Sequence, residues 1–113
     1  MDMDVQDLPG GVSKVVLRGR FDTTGAVLIE LPFNTIATEK RAIIVDLSDV
    51  SFLASYGIRV LLVGAKIVRS KGGKLVVLCP ESNVAKVLKT AGTDALIPVV
   101  QTQEAATAAL TSR

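Results

Sequence analysis

The chain contains no histidine, no tryptophan and a single cysteine, Cys79. Without histidine, a Ser-His-Asp triad and any histidine-bearing metal site are excluded. One cysteine cannot supply a thiolate cluster or an internal disulfide, and its apolar surroundings in the sequence favour a buried, reduced thiol. The paired glycines at 10–11 and 72–73 carry neither a phosphate-loop nor a dinucleotide fingerprint. We therefore expect no bound metal or cofactor, and we predict that the protein is not an enzyme.

Aromatic residues and net charge are also scarce. Three Phe and one Tyr leave no platform on which single-stranded nucleic acid would stack. The formal net charge is only +2. Of the clustered cations Lys66, Arg69, Lys71 and Lys74, three fall near a predicted helix end, where they complement the helix dipole. No direct binding of nucleic acid is expected.

Long apolar runs are missing as well. Arg59 and Lys66 flank the longest candidate for a membrane span, and the acidic start of the chain lacks the basic and apolar regions of a signal peptide. With 113 residues, of which 49% are apolar, the chain has the size and composition of one folded domain, 1–113. We expect a cytoplasmic protein without a membrane span.

Apolar strand runs alternate with helical segments along the chain, which predicts an α/β fold. Strands are predicted at 5–8, 14–20, 41–47, 74–79 and 96–100. Helices are predicted at 24–39, 55–70, 82–91 and 102–110, the first with a kink or a late start at Pro32. Right-handed crossovers then give a mostly parallel sheet, to which a hairpin around Pro9 adds an antiparallel N-terminal strand. Pro98 confines the last strand to a sheet edge.

Ser55 follows a polar turn and stands directly before an apolar helical segment. The order predicts a buried parallel strand, a loop, and a helix whose first turn presents a hydroxyl. That hydroxyl is placed to cap the helix by accepting a bond from an unpaired backbone N–H. The same free N–H groups and the helix dipole favour an added phosphate. Ser55 is therefore a cap, a switch, or both.

Three aspartates have predicted structural roles. Asp22 ends the segment Gly-Arg-Phe-Asp and is predicted to cap the following helix. Asp46 and Asp49 resemble a pair of catalytic carboxylates, but we interpret them as strand-end and turn residues that accept backbone hydrogen bonds.

Residues 45–58, Val-Asp-Leu-Ser-Asp-Val-Ser-Phe-Leu-Ala-Ser-Tyr-Gly-Ile, resemble the signature of STAS domains, the anti-sigma factor antagonist family. That signature reads aliphatic-Asp-Leu-Ser-x-Val-x-Phe-aliphatic-Asp-Ser-Ser/Thr-Gly-aliphatic. Its first Ser after the second Asp is phosphorylated in the antagonists, and Ser55 stands at that position. Ala54 replaces the family aspartate and Tyr56 replaces the following Ser or Thr. The resemblance covers nearly the whole chain and implies the same fold as the alternation of elements.

The resemblance implies a bacterial phosphoprotein that regulates transcription by partner switching, as in a stress response. The unphosphorylated form would bind an anti-sigma factor that is also a serine kinase, which releases the sigma factor. Phosphorylation of Ser55 would dissociate the complex, and a cognate phosphatase is a further expected partner.

The resemblance also implies a contact face, because the family has a similar aspartate near its serine. We predict a partner-binding face formed by Asp22, Ser51, Ala54, Ser55, Tyr56 and Arg59, extended by the loop at 81–82. Strand-to-helix loops gather at one end of a parallel sheet, which supports this grouping. Tyr56 either crowds the hydroxyl or is an exposed anchor. If exposed, Arg59 opposes the helix dipole; it is either simply solvated or compensated by a nearby anion, such as a phosphate on Ser55 or a partner carboxylate.

Ala54 and Tyr56 favour an alternative function. The chain would then be a constitutive, non-phosphorylated STAS subunit of a larger assembly, such as a transport complex. An enzyme acting on a small molecule is a third class, against which the missing histidine and cofactor motifs argue.

Overall fold

The computed structural model describes residues 1–79 and 82–111. In that part of the chain, the strands are β1 (Asp2–Leu8), β2 (Val12–Phe21), β3 (Ala42–Leu53), β4 (Lys74–Leu78) and β5 (Val99–Val100). The helices are α1 (Thr23–Glu39), α2 (Ser55–Ser70), α3 (Ser82–Thr90) and α4 (Gln103–Thr111), with a 3₁₀ turn at Thr93–Ala95. The strands form one sheet in sequential order. β1 is antiparallel to β2 and the other neighbours are parallel, which confirms the predicted fold class.

Alternate side chains of the central strands pack into two cores on opposite faces of the sheet. Ile43, Val45 and Leu47 of β3 pack in the larger core, which α1, α2 and α3 cover. Ile44 points to the smaller core, which Ala106 of α4 covers. Because strand side chains alternate between faces, this continuous apolar run fills both cores at once.

β3 is longer than predicted, and the expected turn after residue 47 is strand. Its second half pairs with the end of β2, with register shifts between Val16 and Arg18 and between Gly19 and Arg20. Asp46 accepts hydrogen bonds from the backbone N–H (2.9 Å) and the hydroxyl of Ser48, as predicted in kind, but lies within the strand rather than at its end. The polar residues that indicate a turn in the sequence lie at exposed positions of β3, in a part of the strand whose pairing with β2 is bulged.

Helix α1 runs without a break through Pro32, so a late start at this residue is wrong. Pro32 and Leu28, whose carbonyl it leaves without a helical donor, both lie on the exposed side of the helix. Ile29 and Phe33, on either side of the proline, are buried in the larger core. Their burial holds both halves of the helix on the sheet.

Strand ends at both edges differ from the prediction. β1 begins three residues early, at Asp2, and pairs along its whole length with β2. β5 contains only Val99–Val100. The residues before it form the 3₁₀ turn or, like Ile97, are buried in the larger core, so they do not pair as strand. Its position at the sheet edge is as predicted. The expected roles of Pro80, Glu81 and the Ser82 side chain lie outside what the structure describes.

Lys71 has a structural role that its charge alone did not indicate. Its Nζ donates to the carbonyl oxygens of Ala37 (2.7 Å), Thr38 (2.5 Å) and Lys40 (2.8 Å). These carbonyls belong to the end of α1, where no helical donor remains for them. The ammonium group therefore caps α1 from the C-terminal end of α2. No helix in the described ranges is both long and apolar enough to cross a membrane.

Candidate functional site at the start of helix α2

The ends of β2 and β3 lie side by side, and this pairing positions the candidate site. Phe21 is paired with Leu53, and the backbone N–H of Ala54 donates to the carbonyl of Phe21 at 2.9 Å. Asp22 and Ser55 each come one residue after this link. The structure therefore brings the starts of α1 and α2 to the same end of the sheet. Asp22 and Ser55 lie close to each other there, as the sequence predicts.

Asp22 is the N-cap of α1, as predicted. Its backbone is extended, and its Oδ1 accepts a hydrogen bond from the N–H of Gly25 at 2.8 Å. The other carboxylate oxygen lies 3.7 Å from Nε of Arg20. Asp22 is only partly buried, so the carboxylate keeps access to the surface while it holds the first turn of α1.

Ser55 is not the N-cap of α2, which corrects the sequence prediction. Ala54 occupies the cap position in extended conformation, and its carbonyl accepts the bond from the N–H of Ile58 at 3.2 Å. The bond from Ala54 to Phe21 fixes the last extended residue, so the helix begins at Ser55. The Ala54 methyl cannot accept a hydrogen bond. Ser55 is exposed, with its hydroxyl on the first turn of α2 rather than engaged as a cap.

Gly57 lets the first turn of α2 sit close to the strand ends. A Cβ at this position would lie 2.9 Å from Cδ1 of Phe21 and 2.9 Å from Cδ1 of Leu53, both of which are buried. Buried side chains in a packed core have little room to move away from an added methyl group. The absence of a side chain at Gly57 therefore sets how near the sheet Ser55 is held.

Tyr56 is turned towards α1 and does not point across the Ser55 hydroxyl. Its hydroxyl donates to Oε1 of Glu30 at 2.9 Å, and its ring packs at the margin of the larger core. The hydrogen bond to Glu30 raises the pKa of the Tyr56 phenol above its usual value. Tyr56 is half-buried, so it is a tether between α1 and α2 rather than a freely exposed anchor.

Arg59 is exposed, one turn after Ser55 on α2. Residues four apart on a helix are neighbours on its surface. Among the described residues, no carboxylate lies within salt-bridge distance of this guanidinium. Arg59 is therefore placed to meet an anion at or near Ser55.

A groove of about 480 Å³ runs between the start of α2 and helix α3. Its α2 side is formed by Leu53, Ala54, Ser55 and Ile58, and its α3 side by Lys86, Val87, Thr90 and Ala91. Most of these side chains are apolar, while Ser55 and Lys86 place a hydroxyl and a cation on opposite sides. The sequence prediction missed the α3 side, because nothing local in the sequence says which helix lies beside α2.

Ser51 and Phe52 lie on β3 rather than in a loop, and both are exposed. They line a small cleft of about 90 Å³ against α3, together with Val87. The guanidinium of Arg20 stacks over the Phe52 ring, with its Cζ 4.4 Å from the ring centroid. Arg20 extends the surface beyond the predicted residues. Glu81, predicted at its margin, lies outside the described residues.

Fold and geometry together define an α/β domain with an exposed serine at the start of a helix beside an apolar groove. The STAS domain model matches residues 6–106, and the chain belongs to this family. BtrV of Bordetella bronchiseptica, which carries the name of an anti-sigma factor antagonist, is 34% identical over 70 residues. That match covers 62% of this chain and 60% of BtrV.

Solved structures show the same fold. An anti-sigma factor antagonist from Mycobacterium paratuberculosis has a TM-score of 0.88 at 25% identity, covering 98% of this chain and 94% of that one. SpoIIAA of Bacillus in its phosphorylated form has a TM-score of 0.71 at 18% identity, covering 96% of this chain and 99% of that one.

The vacant cap at Ala54 predicts a stabilising substitution. Ala54→Asp should raise the free energy of unfolding by about 1 kcal/mol, because the carboxylate would accept an N–H of the first turn. Ala54→Asn should give a similar gain without a charge, whereas Ala54→Val should give none. Urea unfolding followed by far-ultraviolet circular dichroism measures all three. Unchanged stability in both the Asp and Asn variants would show that Ala54 is not the cap.

Proposed function

We propose that this protein is an anti-sigma factor antagonist controlled by phosphorylation of Ser55. Unphosphorylated, it binds an anti-sigma factor that is also a serine kinase, and it is released once Ser55 carries phosphate. The observation that carries the proposal is the exposed Ser55 hydroxyl on the first turn of α2, at the side of an apolar groove. The relatives' names and the family membership support the same function.

The phosphoryl transfer belongs to the partner. Oγ of Ser55 bonds to the γ-phosphorus of ATP as the bond from that phosphorus to the β–γ bridging oxygen breaks. ADP is the leaving group, and the hydroxyl proton passes to a base on the kinase or to water. This chain supplies only the acceptor oxygen. The transfer would take place in the cytoplasm, where the kinase and ATP are found. Ser55 suits that role because it is exposed and its hydroxyl is not needed as a cap for α2.

The surroundings of Ser55 would stabilise the phosphorylated form within this chain. A phosphate carries about −1.5 to −2 charges at neutral pH. The first turn of α2 offers free backbone N–H groups and the positive end of the helix dipole. Arg59 lies one turn further on, and Lys86 lies across the groove. These cations would pair with the phosphate without any partner.

The same phosphate would oppose a docked partner. Leu53, Ile58 and Val87 give the groove apolar walls, which suit an apolar side chain of the anti-sigma factor. A phosphate at its side brings a charge and bound water into a surface that must be desolvated for docking. Phosphorylation would therefore release the partner without a change of fold. SpoIIAA, solved in unphosphorylated and phosphorylated forms, provides a precedent within the fold.

The second candidate function is a constitutive STAS subunit without a phosphate switch. Its support is the empty cap at Ala54, where the family signature has a carboxylate beside the acceptor serine. In that case the same groove would bind its partner permanently. A phosphatase would have no substrate on this chain.

Amide chemical-shift mapping with a cognate kinase-type anti-sigma factor tests the proposed contact face. Shifts are expected at Asp22, Ser51, Phe52, the first turn of α2 and the groove-facing residues of α3. The far end of the sheet, near Gly10 and Gly72, serves as the internal control and should not shift. Perturbations confined to that far end would refute the assigned face.

A further inference from the structure

The outer face of α1 is apolar at its centre, and no charged residue lies on it before the exposed Glu39 at the end of the helix. Val27, Leu28 and Leu31 are 57%, 62% and 76% exposed. Glu30 is the one charged residue between positions 23 and 38, and its carboxylate is engaged by the Tyr56 hydroxyl. Solvent-facing sides of helices normally carry polar and charged residues. Large aliphatic side chains grouped on such a face mark a contact surface.

The exposed residues have the spacing of a helix-packing seam. Thr24, Leu28, Leu31, Thr35 and Thr38 follow one another at intervals of four, three, four and three, and all are exposed. This is the alternation of the a and d positions by which two helices pack side by side. The opposite side of α1, with Ala26, Ile29, Phe33 and Ala37, is buried in the larger core. We call the exposed stripe from Thr24 to Thr38 the α1 seam.

We propose that the α1 seam binds the α1 seam of a second copy of this chain, antiparallel about a two-fold axis. With the axis between Leu28 and Leu31, Leu28 faces Leu31 of the second copy and Thr24 faces Thr35 of the second copy. Apolar side chains then meet apolar ones, and hydroxyls meet hydroxyls. A two-fold contact sets each residue against the same surface, so a charged seam would repel itself. This seam has no charge to do so.

Burial of the α1 seam leaves the hydroxyls of Thr35 and Thr38 paired, whereas the Leu28 carbonyl, which Pro32 leaves without a helical donor, loses its contact with water. The hydroxyl of Thr35 donates to the carbonyl of Leu31 at 3.0 Å, and that of Thr38 donates to the carbonyl of Asn34 at 2.9 Å. Hydroxyls whose donors are already engaged can enter an interface at little cost. One helix face is smaller than the roughly 800 Å² per partner of a standard interface, so the dimer should be weak. Ser55 is not part of the seam, and the inference does not depend on the proposed function.

Sedimentation equilibrium of the full chain from about 10 µM to about 1 mM tests the proposal, a range that brackets weak association. The wild-type protein should pass from monomer towards dimer as the concentration rises. Leu31→Lys should weaken association at least tenfold, by placing two cations near the axis. Leu96→Lys is the matched control: Leu96 is 52% exposed and lies outside the α1 seam, so this variant should associate like the wild type.

Mixed variants test the geometry. Leu31→Lys and Leu28→Glu should each be monomeric alone, whereas their mixture should form a heterodimer, because Lys then faces Glu once and Leu faces Leu once. A wild-type protein that stays monomeric over the whole range overturns the proposal, as does equal association of Leu31→Lys and wild type. If the protein stays monomeric while Leu31→Lys loses binding to the anti-sigma factor, the seam belongs to that partner and not to a second copy.

Discussion

Ser55→Asp is expected to bind the anti-sigma factor at least tenfold more weakly than Ser55→Ala, a difference of about 1.4 kcal/mol or more. The aspartate places a permanent anion on the first turn of α2, at the side of the apolar groove. Burying it against a partner costs desolvation that the alanine variant avoids. Ser55→Ala, which cannot be phosphorylated, should hold the kinase persistently in the presence of ATP. Isothermal titration calorimetry with the purified anti-sigma factor measures both affinities.

Stability separates this effect from misfolding. Since Ser55 does not cap α2, Ser55→Ala should change the free energy of unfolding by no more than about 0.5 kcal/mol, the usual range for a surface substitution. Gln103→Asp is the matched control, because it puts a carboxylate at the first residue of α4, on the other face of the sheet. It should bind like the wild type. Equal affinity of the Ser55→Asp and Ser55→Ala variants would support the constitutive-subunit function instead.

Gly64→Ala is expected to destabilise the fold by about 1–3 kcal/mol, despite the better helix propensity of alanine. Gly64 lies in the middle of α2 where the buried ring of Phe33 on α1 packs against it. A Cβ there would come closer to Cε2 of Phe33 than non-bonded atoms approach, so the ring or the helix must move. Urea unfolding followed by circular dichroism gives the change, a suitable probe for a chain without tryptophan.

A second substitution shows whether the clash is the cause. Phe33→Leu shortens the side chain that meets the new methyl group, so the double variant should be more stable than the sum of the two single effects predicts. A coupling of about 0.5–3 kcal/mol is typical for residues in direct contact. Additive effects, or a Gly64→Ala variant as stable as the wild type, would mean that α1 and α2 do not pack at this point.

The buried strands were predictable because their signal is local and strong. The apolar runs that became β3 and β4 fill both sheet faces, so their sequence alone indicates a covered parallel sheet. The second half of β3 was not predictable in the same way. Ser48, Asp49 and Ser51 have the composition of a turn, and only their pairing with the distant end of β2 makes them strand. In this segment the pairing with β2 outweighs the turn propensity of the individual residues.

The site was predictable in its residues but not in its details. Asp22 caps its helix as expected, because its cap depends on the next three residues alone. Ser55 misses the cap position by one residue, since the link from Ala54 to Phe21 fixes where the helix begins. Tyr56 turns to Glu30, twenty-six residues away in sequence. The α3 side of the groove, with Lys86 and Val87, follows from packing and has no local signal.

Intact-mass spectrometry after incubation with the kinase-type anti-sigma factor and ATP shows whether Ser55 is the phosphorylated residue. The wild-type chain should gain one phosphate, which fragmentation places on Ser55, and Ser55→Ala should gain none. Ala54→Asp should be phosphorylated at least as fast as the wild type, because a capped first turn holds the acceptor in place. If the wild-type chain gains no phosphate, or if wild type and Ser55→Ala both gain it at another residue, Ser55 is not the phosphorylation switch.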